Sequence, residues 1–309
     1  MNNYEKQYLS IMKDVLDNGI DRPDRTGVGS RATWHQSMRI DLAEGFPILT
    51  TRKLAFRIAF EETWFFLRGE TDTKKLEDKK INIWKGNTSR EYLDKVGLSY
   101  LPEGHMGKGY SFQWRNFGGE FKDEVDCRTF QARKNYTKFE DTLRNNIGVD
   151  QIKNLFDGLQ KDPHGRRHIV TAWNPKQVTE SALPPCHLYH QYQVLDGKLN
   201  SSFLARSQDF LYGTPYNIMG YALLNIALAK ALKLEPGILG YTGEDVHLYS
   251  NQLEIARQQV ERIETSLPTI SLNKELNSLD DILNIEYKDW ELQNYNPQPD
   301  FKDKPPMAV

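Results

Sequence analysis

Leu183-Pro184-Pro185-Cys186-His187 opens a stretch that continues through Gln191-Tyr192 and Arg206-Ser207-Gln208-Asp209 and closes at Gly213-Thr214-Pro215-Tyr216-Asn217. Residues 187–195 and 198–207 alternate as strands on either side of Asp196-Gly197, which predicts a β-hairpin. An apolar helical run at 216–233 and a further strand at 238–249 follow. A lone cysteine is usually a small buried hydrophobe. Here two prolines precede it, removing backbone donors and favouring an extended approach that would hold the thiol in one place. Reaction near neutral pH also requires help toward thiolate, and Arg206, one hairpin strand away, is the candidate cation. His187 is the next residue, and neighbours on a strand face opposite sides, so it is a poor partner for a Cys–His dyad.

Working outward, residues 4–17 place Tyr4, Tyr8, Ile11, Met12 and Val15 at helical spacing and stop at Asn18-Gly19. A polar loop, Asp21 to Gly29, leads to an alternating segment at 32–42 that reads as a strand with Trp34 and Met38 on one face. Residues 54–67 are apolar nearly all round and read as a buried helix. Glu61 and Glu62 sit inside it, where a carboxylate is costly unless paired or functional. From 72 to 148 the pattern weakens, leaving Trp84 and the run Gly109 to Arg115 as aromatic islands. The charged piece at 118–146 reads as a surface excursion. A helix at 149–160, a turn at Asp162 to Gly165, a strand at 166–173 and an amphipathic helix at 250–264 complete the pattern. Interspersed helices and strands with a hairpin imply an α+β, or mixed α/β, chain. Dinucleotide and P-loop fingerprints are missing, which argues against a purely parallel doubly wound sheet.

With 40 basic and 42 acidic residues, the chain lacks the basic excess of a dedicated nucleic-acid binder. Two cysteines, Cys127 and Cys186, make neither a disulfide framework nor a zinc spacing, which fits a reducing compartment. The first residues lack a signal-peptide core and no run approaches a membrane span, so the expectation is a cytoplasmic protein without a metal site. Arg25, Arg166, Arg167 and Arg206 recur beside glycine, proline and serine, and guanidinium forks match phosphate oxygens.

These residues carry a resemblance. Leu183-Pro184-Pro185-Cys186-His187 with Gln191 resembles the active-site signature of the thymidylate synthase family. Other pieces agree in order: Asp24-Arg25-Thr26-Gly27, Gly45 to Thr51, Glu62 with Phe66 and Gly69, Ile83-Trp84, and Tyr110 with Gln113-Trp114-Arg115. Arg166-Arg167, Arg206-Ser207 with Asp209, Gly213 with Pro215 and Asn217, His247 with Tyr249, and Met307-Ala308-Val309 continue the series. The resemblance implies one large domain over 1–309, with a mixed, largely antiparallel sheet flanked by helices.

It also implies chemistry. Cys186 would add to C6 of a uracil ring, making C5 a nucleophile toward the one-carbon unit of 5,10-methylenetetrahydrofolate. Glu62 would act through water near O4, and Tyr110 would assist proton removal from C5. Phosphate binding would fall to Arg25, Arg206 and Ser207, with Arg166 and Arg167 reaching across from the other subunit of a homodimer. His247 and Tyr249 would hold the sugar 3′-hydroxyl. Trp84, Asn87, Asp209, Gly213, Tyr216 and Ala308 match folate-contacting positions, and Val309 would close over the site. Asp209 also falls among the catalytic and dUMP-binding positions. Asn217 is similar to a base selector, since an amide can accept from N3–H of uracil and donate to O4. An Asp there would suit cytosine, so dUMP is the expected substrate.

Several positions depart from the family pattern. Ala205 stands where Gln is usual, Phe65 where Trp is usual, and Tyr216 where Phe is commoner. Lys108-Gly109-Tyr110-Ser111 replaces Pro-Val-Tyr-Gly, which bears on the role carried over to Tyr110. Three other readings stand beside a folate-dependent methyltransferase: a deoxyuridylate hydroxymethylase using the same cofactor, a non-catalytic nucleotide- or RNA-binding regulator, and a cysteine hydrolase. Trp84 and the intact Ala308-Val309 end favour the first over the hydroxymethylase. Retention of Cys186 and Glu62 speaks against the regulator, and the lack of an evident base for Cys186 against the hydrolase.

Overall fold

Asn2 sets the chain's first helix: its side-chain oxygen accepts the Glu5 N–H and caps α1 (Asn3–Asn18). The computed structural model describes residues 2–121 and 148–302, so most of the 118–146 excursion, Cys127, and the Met307-Ala308-Val309 end lie outside the described residues. In chain order, β1 (Ile20–Arg22), β2 (Ser30–Asp41), α2 (Phe56–Leu67), α3 (Lys74–Glu77), α4 (Arg90–Lys95) and α5 (Tyr110–Asn116) follow α1. Then come α6 (Gln151–Lys161), β3 (His168–Thr171), β4 (His187–Leu195), β5 (Lys198–Asp209), α7 (Gly213–Ala231) and β6 (Glu235–Tyr249). The order ends with α8 (Leu253–Val260), β7 (Thr269–Leu272), α9 (Leu279–Leu283) and β8 (Trp290–Gln293). The chain is mixed α/β, with strands paired mainly antiparallel and helices packed against them. Among the described residues no helix is long and apolar enough to cross a membrane.

Two compact units emerge, one from residues 1–60 with 192–309 and one from residues 61–191. In the first, β2 lies antiparallel between β1 and β6, with Ser30 opposite Tyr249 and Ala32 opposite His247. On its other side β6 runs parallel to β5, setting Ser207 against Asp245 and Asp209 against His247. A parallel neighbour needs a crossover, and α7 supplies it. The helix begins three residues before the expected start, because Pro215 in the first turn needs no intrahelical N–H partner. The turn between β4 and β5 holds Asp196 and Gly197 at φ 50° and 71°, the left-handed pair expected of a two-residue hairpin loop.

The strand at 32–42 forms, but Trp34 and Met38 do not share an environment. Trp34 is 72% exposed and Met38 only 3%, with His35 between them at φ 58°, which breaks the alternation. The 250–264 helix is also shorter than its periodicity: a 3-10 turn at Ser250–Gln252 precedes α8, which stops at Val260. Glu5, which sequence reading passed over, is fully buried on α1. Its carboxylate accepts from the N–H and hydroxyl groups of both Thr50 and Thr51, at 2.6–3.0 Å. These bonds satisfy the buried carboxyl oxygens, which would otherwise be costly to remove from water.

In the second unit, the weakly patterned stretch after residue 72 contains α3, α4 and α5 around buried Trp64, Phe65, Phe112 and Trp114. Arg115 donates two bonds to Asp150, both 2.9 Å, and a third to the Leu67 carbonyl at 2.7 Å. Asp150 also caps α6. The strand read at 166–173 contracts to β3, leaving Arg166 and Arg167 exposed ahead of it.

Candidate active site

Cys186 lies immediately before β4, half-buried, as a reduced thiol. Its backbone N–H donates to the phenol oxygen of Tyr110, the first residue of α5. The Tyr110 ring stacks on His187 at 4.2 Å between centroids and on Phe66 at 4.9 Å. Burial first, and the adjacent Cys186 second, push the Tyr110 phenol well above its ordinary pKa. The hydroxyl therefore stays protonated at neutral pH and keeps a proton to donate. Burial lowers His187 to about 3, so this imidazole is neutral under ordinary conditions. A neutral ring pressed against Tyr110 is not the base of a thiol–imidazolium pair, in line with its position on the strand.

Glu62 precedes Phe66 by four residues on α2, which puts both on one helix face. Trp84 donates its indole N–H to Glu62 Oε1 at 2.9 Å, and its ring meets Phe66 and Tyr110 edge-on. Burial raises Glu62 to about 7 against the opposing pull of that hydrogen bond. A carboxyl so placed exchanges a proton near neutrality, which suits general acid–base work. Its neighbour Glu61 pairs instead with Lys79 at 2.6 Å, so the two glutamates sit in different electrostatic environments. Glu62, Trp84, Tyr110 and Cys186 thus form one connected group, with Asn87 buried in the same unit.

The first unit carries a second group. At the start of α7, Asn217 Oδ1 accepts from Gln208 Nε2 at 2.8 Å. Asp209, at the end of β5, accepts the Tyr212 N–H on Oδ1 and the Gln252 amide on Oδ2, at 3.0 and 3.1 Å. His247 Nδ1 lies 2.9 Å from Asp245 Oδ1, and Asp245 also pairs with Arg22. Burial works against the Asp245 charge, but the bonds from His247 and Arg22 outweigh it and hold the carboxyl below its usual range. The His247 and Tyr249 rings meet edge-on at 5.1 Å. Arg206, Ser207, Gly213 and Tyr216 are partly buried on this end of β5 and the first turn of α7, whereas Arg25 is exposed in its loop. Gln208, Asp245 and Gln252 were invisible as site residues in the sequence. Only Asp245 left a signal, since its i, i+2 spacing to His247 puts both on one strand face.

A thiol next to a protonated phenol, with a carboxyl raised to about 7, is a grouping with the chemistry for addition to an electrophilic carbon with proton transfer. The family model described as thymidylate synthase matches residues 6–309. The chain belongs to the thymidylate synthase family. It is 38% identical over 305 residues to thymidylate synthase of Herpesvirus ateles, covering 99% of this chain and 98% of that protein. It is 37% identical over 299 residues to thymidylate synthase 1/2 of Encephalitozoon cuniculi (strain GB-M1), covering 96% of each. It is 41% identical over 294 residues to a bifunctional dihydrofolate reductase-thymidylate synthase of Paramecium tetraurelia, covering 94% of this chain. The chain spans 59% of that relative's length and 54% of its Zea mays counterpart.

Proposed function

We propose that this chain catalyses the reductive methylation of dUMP to dTMP, with 5,10-methylenetetrahydrofolate as the co-substrate. The observation that carries the reading is the Cys186–Tyr110–Glu62 group, in which thiol, neutral phenol and near-neutral carboxyl are joined by direct contacts and by Trp84. The family match runs through both units, which supports treating residues 1–309 as one catalytic domain.

Cys186 Sγ adds to C6 of the uracil, forming the S–C6 bond while the C5–C6 π pair moves toward C4–O4. Glu62 manages the proton at O4 through water, the task for which its raised pKa fits it. The folate supplies the one-carbon unit and the hydride. The C5 proton leaves to a water hydrogen-bonded to the protonated Tyr110 phenol, and the S–C6 pair returns to the Cys186 sulfur as the product is released.

Arg25, Arg206 and Ser207 hold the 5′-phosphate, together with Arg166 and Arg167 of the partner subunit in a homodimer. His247 and Tyr249 hold the 3′-hydroxyl, and Asn217 reads the base. Trp84, Asn87, Asp209, Gly213, Tyr216, Ala308 and Val309 serve the folate. Asp209, among these, presents a carboxylate acceptor at the end of β5, which suits a heterocycle that carries N–H donors. The test is incubation with dUMP and methylenetetrahydrofolate, following dihydrofolate by its absorbance. Dihydrofolate forming one-to-one with dTMP is the expected result. Hydroxymethylated nucleotide without dihydrofolate would overturn the methyl-transfer outcome.

A further inference from the structure

Asn217 can select a uracil only if its amide points one way. Turned over, the same side chain offers a donor where uracil N3 needs an acceptor, and it then matches cytosine instead. Nothing in the shape of an amide prevents this turn, because its oxygen and nitrogen ends are nearly the same size. Some neighbour must fix it.

We infer that Gln208 is the positioning residue that fixes the Asn217 amide and thereby sets base specificity; this rests on the dUMP reading above. Gln208 sits on β5, 3% exposed, and its Nε2 donates to Asn217 Oδ1 at 2.8 Å. An Nε2 group has only hydrogens to offer, so it holds Oδ1 on its own side. Turning Asn217 alone would set donor against donor. The Asn217 oxygen has a second lone pair, so one acceptor site and the Nδ2 hydrogens remain for the base.

Gln208 is itself kept from turning. Its Oε1 is buried without a hydrogen-bond partner among the described residues. In the reversed orientation that position would hold two unpartnered N–H groups, and orphaned buried N–H groups are tolerated less well than a carbonyl. Gly213 completes the arrangement: a Cβ there would lie 3.2 Å from Gln208 Nε2, tighter than ordinary contact. Ala205, three residues earlier on β5, is fully buried and offers no amide.

The experiment measures dUMP and dCMP binding by calorimetry to the wild-type chain, Gln208→Met, Gln208→Ala and Asn217→Ala. Circular dichroism checks that each variant is folded. Methionine keeps the length of Gln208 without a donor, and alanine provides a second variant should methionine disturb packing. One lost orienting hydrogen bond corresponds to a fall of about tenfold in the dUMP-over-dCMP preference. A merely structural role would weaken both nucleotides together and leave the ratio unmoved. If Asn217→Ala lowers the ratio while both Gln208 variants keep it, the Gln208 inference is wrong and the base-selector reading survives. If Asn217→Ala also leaves the ratio unchanged, the base-selector reading fails and takes the inference with it.

Discussion

At the scale of single residues, the pair Glu61 and Glu62 shows how environment divides two identical side chains. Glu61 is satisfied by Lys79, whereas Glu62 meets an indole N–H and a low-polarity wall that raises it to about 7. The unfolded chain titrates this carboxyl at the ordinary 4.5, so the folded state binds the extra proton between about 4.5 and 7. Ionised Glu62 therefore costs stability above pH 7, and the cost disappears as pH falls through that window. Glu62→Gln keeps an oxygen for Trp84 and removes the charge. It should stabilise the protein by about 1–3 kcal/mol at pH 8 and change little at pH 4, read by urea unfolding. Equal effects at both pH values would show that burial is not what shifts this group. For the neighbouring thiol, Cys186→Ser should abolish turnover while nucleotide binding stays within about threefold, because an alcohol is a far weaker nucleophile than a thiolate. Surviving activity would remove Cys186 from its role.

At the scale of elements, short helices with weak periodicity are anchored by charge. The link between α5 and α6 depends on Arg115 and Asp150, which are 6% and 7% exposed and joined by two bonds. Asp150→Ala strands a buried guanidinium and removes the cap of α6. The expected loss is about 3–5 kcal/mol in denaturant unfolding. A loss below about 1 kcal/mol would mean that Arg115 finds another partner. Neither residue stood out in the sequence as a pair, since 34 positions separate them and no local pattern links charges so far apart.

For the whole molecule, His187 and His190 are both held near 3 by burial, against 6.5 when unfolded. The unfolded state binds more protons below about 6.5, so these two groups withdraw stability as pH falls toward 3. Glu62 acts in the opposite sense between about 7 and 4.5, but one carboxyl faces two imidazoles. Stability should therefore peak near pH 7 and decline on the acid side, with the decline steepest between about 4.5 and 3, where Glu62 no longer offsets the imidazoles, in thermal melts across pH. A peak at pH 5 would contradict the neutral state of the two histidines. Assembly is tested by mixing. If Arg166 and Arg167 serve the partner's site, inactive Cys186→Ser and inactive Arg167→Glu chains should regain activity when mixed and allowed to exchange. A random dimer population would reach about a quarter of the wild-type value, since half the dimers are mixed and each has one intact site. No recovery despite exchange would place the arginines in their own subunit's site or outside it.

Much of the fold was legible because burial leaves a period in the sequence. Tyr4, Tyr8, Ile11, Met12 and Val15 repeat at helical spacing and are buried, and Asp196-Gly197 marks a turn that few other pairs can make. Residue order in the Leu183-to-Asn217 stretch carried the resemblance to the family, and with it the expectation of a thiol, a phosphate arm and a base reader. What sequence could not supply was direction and electrostatic environment. Trp34 belongs to a strand, yet the left-handed His35 beside it breaks the alternation and Trp34 is exposed. The resemblance singled out Glu62 over Glu61, but the Trp84 contact and the burial that distinguish it physically are tertiary. Gln208 was a filler between Ser207 and Asp209 until its amide proved to bond Asn217. The chain's order determined which chemical groups are available; three-dimensional packing decided which of them carry a proton near pH 7 and which way they face, because desolvation and hydrogen-bond direction depend on neighbours distant in sequence.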